Sequence, residues 1–296
     1  MRAMRLLLIF LIACAHAPAV FAPGDHVAGE TAYHVLGHGP ACLMVPGGPG
    51  LDWKYLRAPE LEKQLTVIYV EPLGTGGSAR LPAGEAYTLT RFATQLETLR
   101  VALHLGKACV IGHSYGGLIA ATFAYEHPDS VGELVLYSSP SRSDEEFGKA
   151  MAANLEHWKD RPWFATAKAA MLSEDVTDDA AATLQWKQAV PFLFADWDEA
   201  KYGAAVYIPT YAAVYQQPQK DPIDLRPHLA QIKAATLVLV GATDFCCGEQ
   251  WGHELASGIA GATLERFEHA GHMAHLEEPS HFADSIARFT RGHQAP

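Results

Sequence analysis

The chain has 296 residues, of which 49% are hydrophobic and 19% charged; that is enough apolar material to bury a large core in one or two domains, and too much for a disordered chain. The formal charge of −11 comes with no block of lysine or arginine, which excludes the basic stripe that a phosphate backbone requires. Nucleic acid is therefore not expected as a partner.

At the N-terminus, Met1-Arg2-Ala3-Met4-Arg5 precedes the apolar run Leu6 to Ala13, a positive start and a stretch too short to span a bilayer. This pattern predicts an export signal over residues 1–22 and a periplasmic or secreted protein. Within it, Leu11-Ile12-Ala13-Cys14 resembles a bacterial lipobox, which would leave Cys14 acylated as a membrane tether. Ordinary cleavage near Ala19 or Ala22 is the alternative, and Pro23 hinders the second of these cuts.

Further along, short apolar runs at Ala41 to Val45, Thr66 to Val70, Ala108 to Ile111, Leu134 to Tyr137, Thr236 to Val240 and Thr263 to Phe267 alternate with helical patterns. Thr90 to Leu105 is one such helix, with Phe92, Leu96, Leu99 and Leu103 on one face, Thr90 as its cap and Gly106 as its stop. Runs apolar on both faces and spaced by helices predict an α/β domain, a mostly parallel central sheet covered on both sides. Between Ser141 and Arg226 strand-like runs give way to alanine, acidic residues and aromatics, which predicts a helical lid over residues 141–226; the core then comprises 23–140 and 227–296.

Cys42, Cys109, Cys246 and Cys247 are too few and too scattered for a disulfide scaffold or a metal knuckle. Cys42 and Cys109 lie in apolar runs and are expected to be small buried hydrophobes, while the adjacent Cys246 and Cys247 could bridge each other only with strain. His269, His272 and His275 recur every three residues, but Gly271 interrupts them and no trio of carboxylates accompanies them, so neither metal nor cofactor is expected.

The chemistry concentrates at Gly112-His113-Ser114-Tyr115-Gly116, set between an apolar run and the helical stretch Gly117 to Ala124. Glycines on either side allow a sharp strand-to-helix turn that lifts the Ser114 hydroxyl out of the sheet as a nucleophile. A serine hydroxyl needs a base and a group to orient that base. Asp244 follows the run ending at Val240, and Glu268-His269-Ala270-Gly271-His272 brings an imidazole after the run ending at Phe267. A second amide for an oxyanion, beside that of Tyr115, is expected from Pro46-Gly47-Gly48-Pro49-Gly50.

Gly112 to Gly117, the turn Gly241 to Asp244, and Ala270-Gly271-His272 with Glu278-Pro279 resemble the α/β-hydrolase superfamily over nearly the whole mature chain. The resemblance implies a triad of Ser114, Asp244 and His272, with His113 as a structural companion. It also implies Gly48 as the second oxyanion donor. The PGGPG loop is similar to the HGGPG motif of the proline iminopeptidase group (peptidase family S33), with Pro46 where that group has histidine. Its Asp-x-Arg-Gly-x-Gly-x-Ser run appears as Glu71 to Ser78, without the arginine. Trp197-Asp198, followed by Glu199, resembles the Trp-Glu pair of that group's lid and would bind a cationic amino terminus, with Glu145, Glu146 and Glu156 as weaker candidates. The implied activity is an aminopeptidase releasing an N-terminal residue, often proline, from short peptides through an acyl-enzyme. The alternatives are a carboxylesterase or lactonase with an apolar lid pocket, and a hydrolase-fold binding protein without turnover. A serine rather than an aspartate nucleophile argues against epoxide hydrolases and haloalkane dehalogenases.

Overall fold

In the computed structural model, residues 21–82, 84–173, 176–215 and 223–293 are described; Cys14 and all but the last two residues of the expected export signal lie outside them. The strands are β1 (Gly24–Ala28), β2 (Thr31–Gly37), β3 (Ala41–Val45), β4 (Thr66–Val70), β5 (Ala108–His113), β6 (Val131–Tyr137), β7 (Arg142–Ser143), β8 (Ile223–Asp224), β9 (Ala235–Gly241) and β10 (Thr263–Phe267). The helices are α1 (Pro59–Glu62), α2 (Leu89–Ala102), α3 (Tyr115–Glu126), α4 (Glu145–Asn154), α5 (Phe164–Met171), α6 (Asp179–Ala189), α7 (Glu199–Val206), α8 (Ala212–Tyr215), α9 (Glu249–Gly258), α10 (Ala274–Glu277) and α11 (Pro279–His293).

Eight strands form one sheet in the order β1-β2-β4-β3-β5-β6-β9-β10. From β4 to β10 all neighbours are parallel, whereas β1 and β2 add an antiparallel edge. Alternate side chains of the central strands enter two separate cores. Leu43, Val45, Val110, Leu134 and Val238 pack under α2, α3 and α9, while Met44, Tyr69, Ile111, Tyr137 and Leu239 face α1, α11 and the lid helices. Each such aliphatic side chain contributes about 1.5–3 kcal/mol by leaving water.

Three details depart from the sequence reading. The edge hairpin of β1 and β2 was not anticipated, because Asp25, His26 and other exposed residues leave β1 without an apolar run. Helix α2 starts two residues early: Thr88, not Thr90, caps it by accepting from the Arg91 amide at 3.3 Å, while the Thr90 hydroxyl donates to Glu126. At the other end α2 stops at Ala102, and His104, with φ of 53°, turns the chain before Gly106.

The third departure is Cys42 and Cys109, which are not free hydrophobes but a disulfide with Cα atoms 4.6 Å apart. They are register partners on β3 and β5, a pairing set by strand order and therefore invisible in either run alone. Closing a span of 67 residues, the bridge is expected to stabilise the fold by about 4 kcal/mol through the unfolded state. The double variant Cys42→Ala/Cys109→Ala should lower stability by that amount in denaturant unfolding; an unchanged midpoint would mean the bridge contributes nothing.

Helices α4 to α8 lie in the chain between the two strands of the small β7–β8 ribbon, and α4, α5, α6 and α8 line the cavity that also holds Ser114 at the end of β5. The lid is tied to the loop after β3 by the Tyr211 amide donating to the Gly50 carbonyl at 2.8 Å, and by the Asp52 amide donating to the Pro209 carbonyl at 3.2 Å.

Candidate active site

Ser114 is the single residue between β5 and α3, and it sits at φ 54°, ψ −120°, a strained conformation for a residue with a β-carbon. The flanking glycines are required by close backbone approach. A β-carbon on Gly112 would lie 2.3 Å from the Gly116 carbonyl oxygen, and one on Gly116 would lie 2.2 Å from that of Val45. The sharp turn holds the serine at the C-terminal end of the central strand β5 and leaves Tyr115 as the first helical residue.

The other two chain segments arrive at the same strand ends. Asp244 stands three residues past β9, and both Cys246 and Cys247 amides donate to its Oδ1, at 3.0 and 2.9 Å. Its Oδ2 lies 2.8 Å from His272 Nδ1, and both residues are buried. Burial opposes the charge on Asp244, but the His272 ring and the two amides outweigh it and hold the carboxyl below its ordinary value. A carboxylate on Nδ1 assigns the ring proton to that nitrogen, so Nε2 keeps a lone pair for proton abstraction. Ser114, Tyr115, Gly48 and His272 line one cavity of about 870 Å³. Gly47 packs against the serine so tightly that a β-carbon would meet the Ser114 Cβ at 2.8 Å, which places the glycine loop directly against Ser114.

A buried hydrogen-bond chain behind the site was not read from the sequence. The Gly47 amide donates to Tyr55 Oη at 2.6 Å, Tyr55 Oη is 2.7 Å from His113 Nδ1, and His113 Nε2 is 3.0 Å from the His272 carbonyl. Burial, and then the nearby His272 and His275, keep His113 neutral, so it donates through Nε2 and accepts the Tyr55 hydroxyl through Nδ1. The Gly47-Gly48 loop and the loop of the candidate base are thereby joined. His275 extends the brace: its Nε2 bonds the Tyr55 carbonyl at 2.8 Å and its Nδ1 bonds Tyr137 Oη at 2.9 Å, while burial lowers it to about 4. Since His269 is exposed and His272 faces Asp244, the three histidines do not converge on a common point. Tyr55 lies in a short 3-10 turn with no motif around it, so no sequence signal marks it.

Glu277 is a second residue the sequence did not flag. Its Oε2 accepts from the Gly271 amide at 2.7 Å and its Oε1 from the lid's Ala195 amide at 2.8 Å, while the His272 amide donates to the lid carbonyl of Leu193 at 2.7 Å. Burial pushes the carboxyl up to about 7 against the pull of these amides. A raised folded pKa means the native state holds the proton more tightly. This contribution to stability is present below the unfolded value near 4.5 and is lost as pH rises through about 7. Glu277→Gln, which cannot ionise, is expected to lose one amide bond at every pH but to gain on the wild type by up to about 3 kcal/mol between pH 5 and 8. Thermal unfolding at both pH values checks this, and a constant gap would show that Glu277 does not titrate there.

The lid acids are arranged otherwise than expected. Asp198 is exposed and caps α7, accepting from the Ala200 and Lys201 amides at 2.9 and 3.3 Å. Glu199, also exposed, accepts from Tyr207 Oη at 2.8 Å, and Trp197 packs on Phe194 with ring centroids 5.0 Å apart. None of the three lines the cavity. A helix that needs an N-cap uses the short acid for its own amides, and the tryptophan belongs to the lid's own core. Glu146 pairs with Arg142 and Glu156 with Lys168, again away from the cavity. The carboxylates on the cavity lining are Asp144, which caps α4 and pairs with Arg142, and Glu145, whose side chain is 82% exposed and pairs with Lys149. The rest of the lid wall is mainly apolar, with Phe147, Met151, Met171 and Trp186 its largest side chains and Ser143, Gln185 and Thr210 its polar ones.

With a serine, an imidazole backed by a carboxylate, and backbone amides on one cavity wall, the arrangement suits acyl transfer. Residues 40–279 match the family model for the alpha/beta hydrolase fold. The chain is 29% identical to the 2-hydroxymuconate semialdehyde hydrolase of Pseudomonas sp. (strain CF600), an alignment covering 88% of this chain and 90% of that one. It is 24% identical to the proline iminopeptidase of Lactobacillus acidophilus, covering 88% and 94%. Among solved structures, the proline iminopeptidase of Mycobacterium smegmatis superposes with a TM-score of 0.69 at 21% identity, over 91% of this chain and 98% of that one. By its sheet order, its strand-to-helix serine turn and its match over most of its length, the chain belongs to the α/β-hydrolase fold family and resembles proline iminopeptidases within it.

Proposed function

We propose that the protein is a serine hydrolase that cleaves carboxylic esters of apolar acids through an acyl-enzyme. Ser114 Oγ attacks the carbonyl carbon while His272 Nε2 takes its proton, and Asp244 holds the ring through Nδ1. The amides of Gly48 and Tyr115 receive the oxyanion, His272 returns the proton to the leaving alkoxide, and water repeats the sequence on the acyl group. The observation that carries the ester reading is the cavity wall: Phe147, Met151, Met171 and Trp186 give it a mainly apolar lid side, while Asp198 and Glu199 stand outside. An ammonium ion buried against that wall would find no fully desolvated partner.

The second reading, an aminopeptidase, draws on the proline iminopeptidase relatives and on Glu145 at the cavity lining, which would meet an amino terminus at the cavity's mouth. A panel of nitrophenyl esters of increasing acyl length against prolyl and other aminoacyl arylamides separates the two. Ester turnover that improves with apolar acyl length is expected; prolyl arylamide turnover above that of every ester would replace the ester reading by the peptidase one. The reading as a binding protein without turnover predicts that both series stay at background. Export is part of the proposal, and the Cys42–Cys109 bridge supports it, since such bridges persist in oxidising compartments. The mass of the mature N-terminus tests it, and a chain still beginning at Met1 would end it.

A further inference from the structure

With Cys42 and Cys109 bridged, Cys246 and Cys247 are the free thiols among the described residues. Their sulfurs lie 3.3 Å apart, and both residues line the cavity shared by Ser114 and His272. Cys246 is partly exposed and Cys247 is buried, with its side chain against Ser114. For bonds of about 2.3 Å from sulfur to a soft atom, two sulfurs at this spacing subtend roughly 90° at a bridging centre. A pyramidal trivalent centre takes that angle, whereas a linear or a tetrahedral one needs the sulfurs farther apart. No third metal-ligating side chain joins the pair among the described residues, so the centre must bring its remaining substituent with it.

We propose that Cys246 and Cys247 form a bidentate site for trivalent arsenic compounds on the wall of the candidate active-site cavity. Binding is ligand exchange without a redox step. With an arylarsine oxide, each sulfur forms a bond to arsenic, the arsenic–oxygen bond breaks, and both thiol protons leave with that oxygen as one water; arsenic stays trivalent. The aryl group then projects into the cavity in front of Ser114. Because the amides of the same two residues hold Asp244 Oδ1, a ring closed over their side chains also bears on the aspartate that orients His272. The site stands independently of the hydrolytic reading, since occupancy is read by mass.

Phenylarsine oxide added to the purified full chain tests the proposal. One phenylarsenic adduct is expected, mapped by mass spectrometry to the segment holding Cys246 and Cys247, and removed by 2,3-dimercaptopropanol but not by an equal concentration of 2-mercaptoethanol thiol. Esterase activity should fall and recover with the adduct. Cys246→Ser should need about 100-fold more reagent for half occupancy, since the second bond is intramolecular. Absence of an adduct on the wild type, removal by the monothiol alone, or equal sensitivity of Cys246→Ser would each overturn the bidentate site; the first two hold even if the variant does not fold. An adduct without any hydrolytic activity would leave the site standing and remove the proposed function.

Discussion

Ser114→Ala is expected to lower kcat for ester hydrolysis by on the order of 10⁶-fold while leaving the protein folded. The hydroxyl oxygen forms the bond to the acyl carbon, and nothing beside it can take its place. Cys247 is the neighbouring thiol, but burial raises its pKa well above the ordinary value, so it stays protonated and does not replace the serine in attack on an ester carbonyl. What remains in the alanine variant is the oxyanion site and substrate binding, worth about 10³–10⁴ over water in enzymes of this design. Labelling by a fluorophosphonate should vanish in the same variant. The backbone strain at φ 54° is the same for serine and alanine, so the melting temperature should hold. A variant that keeps a tenth of the activity would take the nucleophile's role away from Ser114.

Asp244→Asn should cost about 10⁴-fold in kcat with little change in KM. The carboxylate accepts three bonds: two amides on Oδ1 and the His272 ring on Oδ2. Asparagine offers one acceptor and one donor. If its oxygen keeps the amides of Cys246 and Cys247, its NH₂ faces His272 Nδ1 and forces the proton to Nε2, the nitrogen that must be free to act as a base. If it turns over, two buried amides lose their acceptor, at about 1–3 kcal/mol each. Comparing kcat for Asp244→Asn with the Tm of the same protein distinguishes these arrangements, and an unchanged kcat would exclude Asp244 as the residue orienting the base.

Much of this was legible in the chain because it depends on local chemistry. Runs such as Thr66 to Val70 are apolar on both faces, and only a sheet covered on both sides has room for them. Ser114 and Asp244 each follow such a run, and His269 and His272 follow the half-exposed edge strand β10, at the end where open sheets gather their ligands; the family's Gly-His pattern then selects His272. The lid could be seen as helical, but not which way its side chains point: Asp198 is as good a helix cap as it is a ligand for an amino group, and the need of α7 for a cap decides the matter.

The amino-acid sequence by itself determined the fold class, the strand-to-helix turn at Ser114 and the supply of an acid and an imidazole in later loops, because each is written in contiguous residues of the right period and turn chemistry. The tertiary structure decided everything that depends on neighbours remote in the chain. It paired Cys42 with Cys109 by placing β3 beside β5, braced the glycine loop against the His272 loop through Tyr55 and His113, and tied the lid to that loop through Glu277. It also turned the acids Asp198 and Glu199 away from the cavity and the thiols of Cys246 and Cys247 toward it. Such contacts join segments up to 220 residues apart, as His275 and Tyr55 are, and no local pattern records which distant partner a buried polar group will find.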